Sequence, residues 1–227
     1  MNDSQTERSN TPKVFGVPRS GSTVIFNIVN YLFNGSVAPQ RHSYFEDNED
    51  GTLKTVATYR DFRDSCISQW RAYYGGFDED DKKELIPHDM LTQHVTQQLH
   101  TINELNKYKS DHERGRQVLF LKYEDFFDNE ARDLKFDYLF EKLQSFFDIE
   151  ISDEQKNHIR SEYCFSNQKK KAKKFKDFHE YDEETHLHGH HLYKGGFGSW
   201  RELVPPEYHK MVNETLEPYL KSWGYQV

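Results

Sequence analysis

The sequence predicts a three-layer α/β fold in which a central parallel β-sheet is flanked by helices. Short apolar, β-branched segments alternate with longer segments of helical periodicity, which is the pattern of parallel βαβ units. Sheets of this kind are covered on both faces. The chain has 227 residues, which suits one such domain. We expect residues 12–227 to form it and residues 1–11, which are mostly polar, to be a disordered tail.

The elements of the first part of the chain follow from composition and from helix-ending residues. Lys13–Val17 is an apolar strand that leads into a helix over Thr23–Phe33, and the Asn-Gly pair after that helix ends it. A short apolar stretch, Ser36–Pro39, is expected to form a second strand. Leu53–Tyr59 is rich in β-branched and aromatic residues and predicts a further strand.

The remaining elements are mainly helical. Asp61–Tyr74 has apolar residues at helical spacing, Met90–Lys109 is amphipathic, and Gln117–Lys122 is a buried strand. Residues 166–200 contain few aliphatic residues and are expected to be a long surface segment or lid. Three more helices are predicted at Phe136–Phe147, Asp153–Tyr163 and Pro206–Trp223.

Composition argues against several classes of protein. The net charge is −8, so unspecific attraction to nucleic acid or to an acidic membrane is not expected. No apolar run approaches the ~20 residues of a membrane span, and the polar N-terminus lacks the apolar core of a signal peptide. Cys66 and Cys164 are too few for a disulfide framework and favour a reducing compartment. We therefore expect a cytoplasmic protein whose partners include neither nucleic acid nor a membrane.

The segment VFGVPRSGST, residues 14–23, has the spacing of a phosphate-binding loop, with Gly16 and Gly21 at its ends. Nucleoside-triphosphate loops carry lysine after the second glycine, whereas this chain has Ser22 followed by Thr23. The only cation of the loop, Arg19, stands two residues before Gly21. Backbone N–H groups of such a turn, together with the helix N-terminus, bind a phosphate. The loop therefore predicts a nucleotide other than ordinary ATP.

A second anion signal follows the strand that ends at Tyr59. Ligands of such folds bind beyond the carboxyl ends of the strands, where Arg60 stands. Ser68 lies eight residues later, about two turns along the helix, so both side chains can face one phosphate. The alternative is that Arg60 and Arg63 only pair with neighbouring aspartates, and we expect Arg63 and Asp64 to pair structurally. Tyr123 follows the next strand and falls at the same edge.

With these motifs in view, the chain resembles the sulfotransferase family, which transfers a sulfuryl group from 3′-phosphoadenosine 5′-phosphosulfate. PRSGST is similar to the family's 5′-phosphosulfate loop, and YRDFRDSCIS is similar to its 3′-phosphate motif. LKYEDF is similar to the YED segment, and YKGGFGSW to the C-terminal RKGxxGxW motif. The resemblance implies a P-loop-like fold and this nucleotide as co-substrate, with no metal required. The cofactor contacts that it implies fall on Arg19, Ser20, Gly21, Ser22, Thr23, Arg60, Ser68, Tyr123, Lys194 and Gly195.

Three positions depart from the family pattern. Tyr193 stands where the C-terminal motif has arginine, and Val24 stands where many members have an adenine-stacking tryptophan. Ser199 replaces the usual aspartate before the tryptophan of that motif. The basic run at residues 169–176, or His190 and His191, are candidates to replace the arginine. The basic run follows a phenylalanine that falls near the family's adenine-side segment, which favours a place near the nucleotide.

The resemblance also implies the catalytic residues. A histidine in a Lys-x-His-like segment upstream of the 3′-phosphate strand is the family's general base, and His42 occupies that place. An imidazole suits proton transfer at neutral pH. Glu46 is the alternative, since the tyrosylprotein branch uses a glutamate in this region, and His42 would then be a surface histidine. Arg19 would stabilise the charge that develops on the bridging oxygen.

The acceptor is expected to be a hydroxyl or amine of a small-molecule or glycan-type substrate. Candidate pocket walls are the aromatic segments at residues 73–77 and 178–181 and the acidic run at residues 78–81. We interpret the histidine-rich segment 186–191 as part of the lid. No cysteine lies near it and no carboxylate pattern completes a known metal site.

Two other functions are compatible with parts of the sequence. An ATP-dependent small-molecule kinase on the same fold needs a lysine before Ser22 or Thr23, which is absent, and a Walker-B aspartate, for which Asp61 and Asp125 are the candidates. A catalytically silent module that binds phosphoadenosine nucleotides would need neither Arg19 nor a base.

Overall fold

The protein is described here by a computed structural model that covers residues 11–38, 40–44, 53–74, 85–189, 192 and 195–227. Its centre is a parallel three-stranded sheet in the order β1-β2-β3. The strands are β1 (Lys13–Gly16), β2 (Thr55–Tyr59) and β3 (Val118–Lys122). The register pairs Gly16 with Thr58, and Tyr59 with Lys122. The carboxyl ends of the three strands therefore meet at one edge of the sheet.

Each helix that the sequence predicts is present, with shifted ends in several cases. The helix at residues 90–109 is longer than expected, because it begins at His88 and ends at Glu113. The described residues also contain short elements that the sequence did not indicate. In chain order, the helices and the strands of a small second sheet are α1 (Ser22–Leu32), α2 (Phe62–Tyr74), α3 (His88–Glu113), α4 (Tyr123–Phe126), β4 (Phe127–Asp128), β5 (Asp133–Leu134), α5 (Phe136–Phe147), α6 (Asp153–Tyr163), α7 (Phe165–Ala172), α8 (Trp200–Leu203) and α9 (Pro206–Ser222).

Alternating side chains of the strands enter two hydrophobic cores. Val14 and Val56 point to a core built with α1, α4, α5 and α6. Their neighbours Phe15 and Ala57 point to the opposite core, built with α2, α3, α8 and α9. This alternation of period two buries both faces of the sheet, which confirms the predicted three-layer α/β class.

The strand expected at Ser36–Pro39 is wrong for the described residues 36–38, which form no strand. The sheet is instead extended by Arg41, which forms an isolated parallel bridge with Phe15. The only backbone bond found between residues 36–38 and the β1 segment is the one that the Ala38 N–H donates to the Pro12 carbonyl, at 3.0 Å. The proline at position 39 has no N–H to continue a ladder.

The surface segment expected at residues 166–200 contains regular structure in its first part. Helix α7 is lysine-rich, and lysine is a good helix former. Its buried face consists of Gln168 and Ala172, and the Gln168 side chain donates to the Glu162 carbonyl at 2.9 Å. No helix in the described part of the chain is both long and apolar enough to cross a membrane.

Candidate active site

The loop between β1 and α1 depends on a close approach that only glycine allows. A Cβ added at Gly16 would lie 2.1 Å from the Ser22 Cβ and 2.6 Å from the Thr58 Oγ1. The start of α1 therefore packs directly against the ends of β1 and β2. Gly21, at φ 77°, is in the left-handed region that turns the chain into the helix.

The N-terminus of α1 presents backbone donors at this edge. Its first bond joins the Ile25 N–H to the Gly21 carbonyl at 3.1 Å, so the N–H groups of Ser22, Thr23 and Val24 have no partner within the helix. No side chain caps this end. These donors and the positive end of the helix dipole make a site for an anion.

Ser20 braces the loop from inside. It is fully buried, its N–H donates to the Val17 carbonyl at 3.1 Å, and its Oγ lies 2.6 Å from the same carbonyl and 2.6 Å from the Thr58 Oγ1. The donors of Ser20 are thus used within the protein, and its contribution is to the shape of the loop. The hydroxyl of Ser22 accepts from the Gln40 Nε2 at 2.6 Å.

Two arginines meet above the sheet. Arg60 is 6% exposed, and it donates from Nη1 to the Arg19 carbonyl at 3.2 Å and from Nη2 to the Gly196 carbonyl at 2.8 Å. Its buried Nε has no hydrogen-bond partner among the described residues. Arg19 has φ 69° and donates from Nε to the Ser68 Oγ at 3.1 Å. The predicted residues Arg19, Arg60 and Ser68 therefore lie together.

Burial and the positive charge of Arg60 lower the pKa of Arg19 to about 10. Arg19 is therefore still protonated at pH 7, and two like charges face one another. A bound anion would relieve this repulsion and would also satisfy the buried Arg60 N–H, which is costly to leave unpaired.

Tyr123 and the C-terminal glycine loop complete the same edge. The Arg60 Cζ lies 4.7 Å from the centre of the Tyr123 ring, which stacks on Phe127 at 5.0 Å. Burial raises the pKa of Tyr123 to about 12 and keeps the phenol neutral. A Cβ at Gly195 would lie 2.7 Å from the Phe127 Cζ and 3.0 Å from the Phe165 ring. Tyr123 and Gly195 are thus brought to Arg60, as the motifs predict.

Arg63 and Asp64 differ from expectation. Arg63 binds Asp61, with its Nε 2.9 Å from Oδ1 and its Nη2 2.7 Å from Oδ2. The expected Arg63–Asp64 pair is therefore not formed, because Asp64 accepts the backbone N–H groups of Gly198 and Trp200. Arg63 therefore pairs with a neighbouring aspartate, as the alternative interpretation expected. Arg60 does not pair closely with one, since its Nη2 lies 3.9 Å from the Asp64 Oδ2.

His42 is held beside the loop by backbone contacts. The Gly16 N–H donates to the Arg41 carbonyl at 3.2 Å, and the Nδ1 of His42 lies 2.5 Å from the Gly16 carbonyl. A carbonyl only accepts, so Nδ1 carries the proton and the lone pair is on Nε2. Although the ring keeps contact with solvent, desolvation by the surrounding protein and the charge of Arg19 lower the pKa of His42.

A hairpin-like turn covers Arg19 from the other side. Tyr181 and His188 form an antiparallel bridge, and the Phe178 ring lies 5.7 Å from the Arg19 Cζ. The ring of His188 stacks on Phe178 at 4.4 Å, and Tyr73 packs on Phe178 at 4.7 Å. Of the predicted wall residues, Phe178 therefore lies beside Arg19, with Tyr73 packed against it. His188 was not singled out from the sequence, although it belongs to the histidine-rich segment.

Some contacts of the site have no local sequence signature. Tyr44, two residues after His42, donates from its N–H to Glu104 at 2.8 Å and from its hydroxyl to Asp111 at 2.5 Å. These bonds anchor the His42 segment to α3. Asn129 likewise donates to the Phe197 carbonyl at 3.2 Å.

Several predicted features lie outside the described residues. Among the described residues, no group of three or more His, Cys, Asp or Glu side chains is arranged to hold a metal ion. The structure does not describe the residues to which some predictions refer, namely Glu46, Tyr193, Lys194, His190, His191 and the acidic run at residues 78–81.

The chain is similar to known proteins in sequence and in fold. The family model described as "Sulfotransferase domain" matches residues 45–224, which is more than half of the chain. The match begins after the phosphate-binding loop. No curated protein matches the chain significantly.

Solved structures extend the likeness over the loop as well. Mouse sulfotransferase SULT7A1 complexed with PAP is 14% identical, with a TM-score of 0.65 over 95% of this chain and 85% of that chain. Retinol dehydratase with androsterone and the inactive cofactor PAP is 16% identical, with a TM-score of 0.60 over 96% of this chain and 82% of that chain. Retinol dehydratase with retinol and PAP is 15% identical, with a TM-score of 0.62 over 96% and 83%. At these identities the likeness establishes the fold alone.

The close approach at Gly16 predicts the effect of a methyl group there. In Gly16→Ala the added Cβ would meet the Ser22 Cβ at 2.1 Å, so the start of α1 must move away from the sheet. We expect a loss of at least about 1–3 kcal/mol in the free energy of unfolding, as for overpacked cores. Urea denaturation of the variant and the wild-type protein measures this loss. The control is Gly35→Ala, at φ 82° with nothing within 4 Å, which costs backbone strain without a clash. Equal losses in the two variants would contradict the steric explanation.

Proposed function

The chain belongs to the sulfotransferase domain family, and we propose that it transfers a sulfuryl group from 3′-phosphoadenosine 5′-phosphosulfate to a hydroxyl or amine of a small-molecule or glycan-type acceptor. The observation that carries the proposal is the pair of guanidinium groups at the N-terminus of α1, of which Arg60 is buried and Arg19 half-buried. No group of the described residues accepts a hydrogen bond from the Arg60 Nε there, and Arg19 contributes a second charge. A nucleotide with phosphates at both its 5′ and 3′ positions would satisfy both groups.

The two phosphates are assigned to different parts of the site. The 5′-phosphate binds the helix N-terminus at Gly21, Ser22 and Thr23, where backbone donors have no partner within the helix. The 3′-phosphate binds Arg60 and Ser68. The hydroxyl of Ser68 accepts from Arg19 and keeps its own hydrogen to donate to a phosphate oxygen.

The remaining cofactor contacts surround the 3′ side. Gly195 lies against the aromatic rings of Phe127 and Phe165, and Tyr123 stacks on Phe127 beside Arg60. These rings form an apolar surface for the adenine. Lys194 completes the motif next to Gly195. Mouse sulfotransferase SULT7A1 and retinol dehydratase, which share this fold, were solved in complex with PAP, which supports a nucleotide of this kind.

The proposed chemistry needs one base and one cation. The acceptor oxygen attacks sulfur, its proton passes to the Nε2 of His42, and the bond between sulfur and the bridging phosphate oxygen breaks. The Gly16 carbonyl holds the proton on Nδ1 and so directs Nε2 as the base. Arg19 stabilises the negative charge that grows on the bridging oxygen. The nucleotide leaves as 3′-phosphoadenosine 5′-phosphate.

Binding of the desulfated nucleotide tests the proposal against the kinase alternative. We expect 3′-phosphoadenosine 5′-phosphate to raise the melting temperature of the protein, while ATP with Mg²⁺ does not. The matched control is Arg60→Ala, in which the buried 3′-phosphate loses its charged partner. We expect this variant to bind the desulfated nucleotide ~30- to 1,000-fold more weakly, as for lost bonds to charged groups. A shift with ATP alone would favour a kinase.

Removal of the proposed base should slow the chemical step without weakening nucleotide binding. We expect His42→Ala to lower kcat by roughly 10²–10⁴-fold with nearly unchanged nucleotide affinity. Because the pKa of His42 lies below its ordinary value of 6.5, the wild-type base is neutral at pH 7. The kcat of the wild-type enzyme should fall only as the pH drops through that lowered pKa. A pH profile of kcat measures this dependence.

The outcome that removes His42 as base is normal turnover in His42→Ala together with lost turnover in Glu46→Ala. Nucleotide binding without turnover of any acceptor, in the wild-type protein, would instead favour a silent binding module.

Arg19 is predicted to act mainly in the transition state. We expect Arg19→Met to lose on the order of 10²-fold or more in kcat, the scale for one stabilising donor, with a smaller effect on donor affinity. Arg19→Lys keeps the charge but lacks the planar fork, so partial activity should remain. Single-turnover rates and nucleotide dissociation constants separate the two effects. An Arg19→Met enzyme with poor donor binding but normal turnover at saturation would make Arg19 only a phosphate clamp.

A further inference from the structure

A buried carboxylate at the start of α2 holds the C-terminal glycine loop, which we define as residues 195–200. Asp64 is 1% exposed. Its Oδ2 accepts the Gly198 N–H at 2.5 Å, and its Oδ1 accepts the Trp200 N–H at 3.0 Å and the Ser199 hydroxyl at 3.4 Å. One side chain thus fixes three consecutive residues that lie more than 130 positions away in the sequence.

The glycine loop depends on such side-chain contacts. Gly195, Gly196 and Gly198 all have positive φ, at 68°, 85° and 92°, a conformation that belongs to no regular element. Glycine also has more backbone freedom to lose than any other residue. Asn129, which follows β4, accepts the Phe197 N–H at 3.0 Å. The loop is therefore held by side chains from two different parts of the chain.

The charge of Asp64 alone works against anion binding. Its Oδ2 lies 3.9 Å from the Nη2 of Arg60, the same nitrogen that donates to the Gly196 carbonyl. A carboxylate at this distance offsets part of the positive charge that a phosphate would meet. A benefit of Asp64 to nucleotide binding must therefore come from geometry and not from its charge.

We propose that Asp64 is a positioning residue for the 3′-phosphate: it fixes the glycine loop in the orientation that presents Gly195 and Arg60 to that phosphate. The inference rests on the proposed function, since it takes the nucleotide as the ligand. It assigns to Asp64 an effect on the 3′ side only, because the 5′ side is formed by α1, which Asp64 does not contact in the hydrogen bonds above.

The test is Asp64→Asn, in which charge and geometry predict opposite results. The amide keeps one accepting oxygen, and its NH₂ group opposes the second backbone N–H of the loop. Positioning predicts that 3′-phosphoadenosine 5′-phosphate binds roughly 10-fold more weakly or worse, the scale of a lost bond to a charged group. Removal of a negative charge by itself predicts tighter binding. Isothermal titration measures both.

A ligand that lacks the 3′-phosphate separates positioning from general damage. We expect the affinity for adenosine 5′-phosphosulfate to be nearly unchanged in Asp64→Asn. The matched control is Asp61→Asn, the same change at a buried aspartate of the same motif, which binds Arg63 instead of the loop. This control should lower the melting temperature but leave the ratio of the two dissociation constants as in the wild type.

A second variant covers the case in which Asp64→Asn does not fold. Asp64→Glu keeps the charge but moves the carboxylate by one methylene, so positioning again predicts weaker binding of the 3′-phosphorylated nucleotide, whereas a charge effect predicts none. Unchanged or tighter binding of this nucleotide in the folded variant overturns the inference. Equal weakening of both nucleotides, or the same change of ratio in Asp61→Asn, also overturns it. Failure of the wild-type protein to bind the nucleotide would overturn the proposed function itself.

Discussion

The juxtaposition of Arg19 and Arg60 is the constraint on which the site depends. Parallel strands bring their carboxyl ends to one edge of the sheet. The residue after β2 and the loop after β1 therefore lie next to each other. The Arg60 guanidinium is tied to the Arg19 carbonyl at 3.2 Å, which helps hold Arg19 at its unusual φ of 69°. The same bond places two positive charges side by side, and their repulsion contributes to the lowered pKa of Arg19. Backbone strain and electrostatic strain are thus concentrated at one point, and a bound anion can relieve the electrostatic part.

A layer of buried and half-buried polar side chains connects the elements around this site. Glu124 accepts the Asp61 N–H at 2.9 Å and the Tyr225 hydroxyl at 3.0 Å, so it connects the end of β2, α4 and the C-terminal segment. Asp61 in turn binds Arg63. Burial raises the pKa of Glu124, which means that part of the stabilisation of its ionised form is lost to desolvation. The layer therefore links these elements, and its buried charges add little to the stability of the fold.

The sequence predicted the fold class and the meeting of Arg19, Arg60, Tyr123 and the glycine motif, because each follows from local signals. Strand periodicity, a glycine spacing and the position of a residue just after a strand need no knowledge of distant partners. The clamp by Asp64 was not predicted, because the partners of Asp64 are more than 130 residues away. The expected Arg63–Asp64 pair was wrong, because Arg63 binds Asp61 instead. Helix α7 was missed since its lysine run carries no apolar stripe. The short strand at residues 36–38 was predicted wrongly from apolar composition alone.

The two sides of Arg19 differ in charge, and the difference suits the proposed chemistry. On the nucleotide side stand Arg60 and the positive end of α1. On the other side stand His42 and His188, and for each of them desolvation and the charge of Arg19 lower the pKa. Because its pKa is lowered, each histidine is neutral at pH 7 and has a lone pair to accept a proton. In the proposed reaction Arg19 would attract the charge of the leaving phosphate, and its field adds to the desolvation that keeps the neighbouring imidazoles neutral.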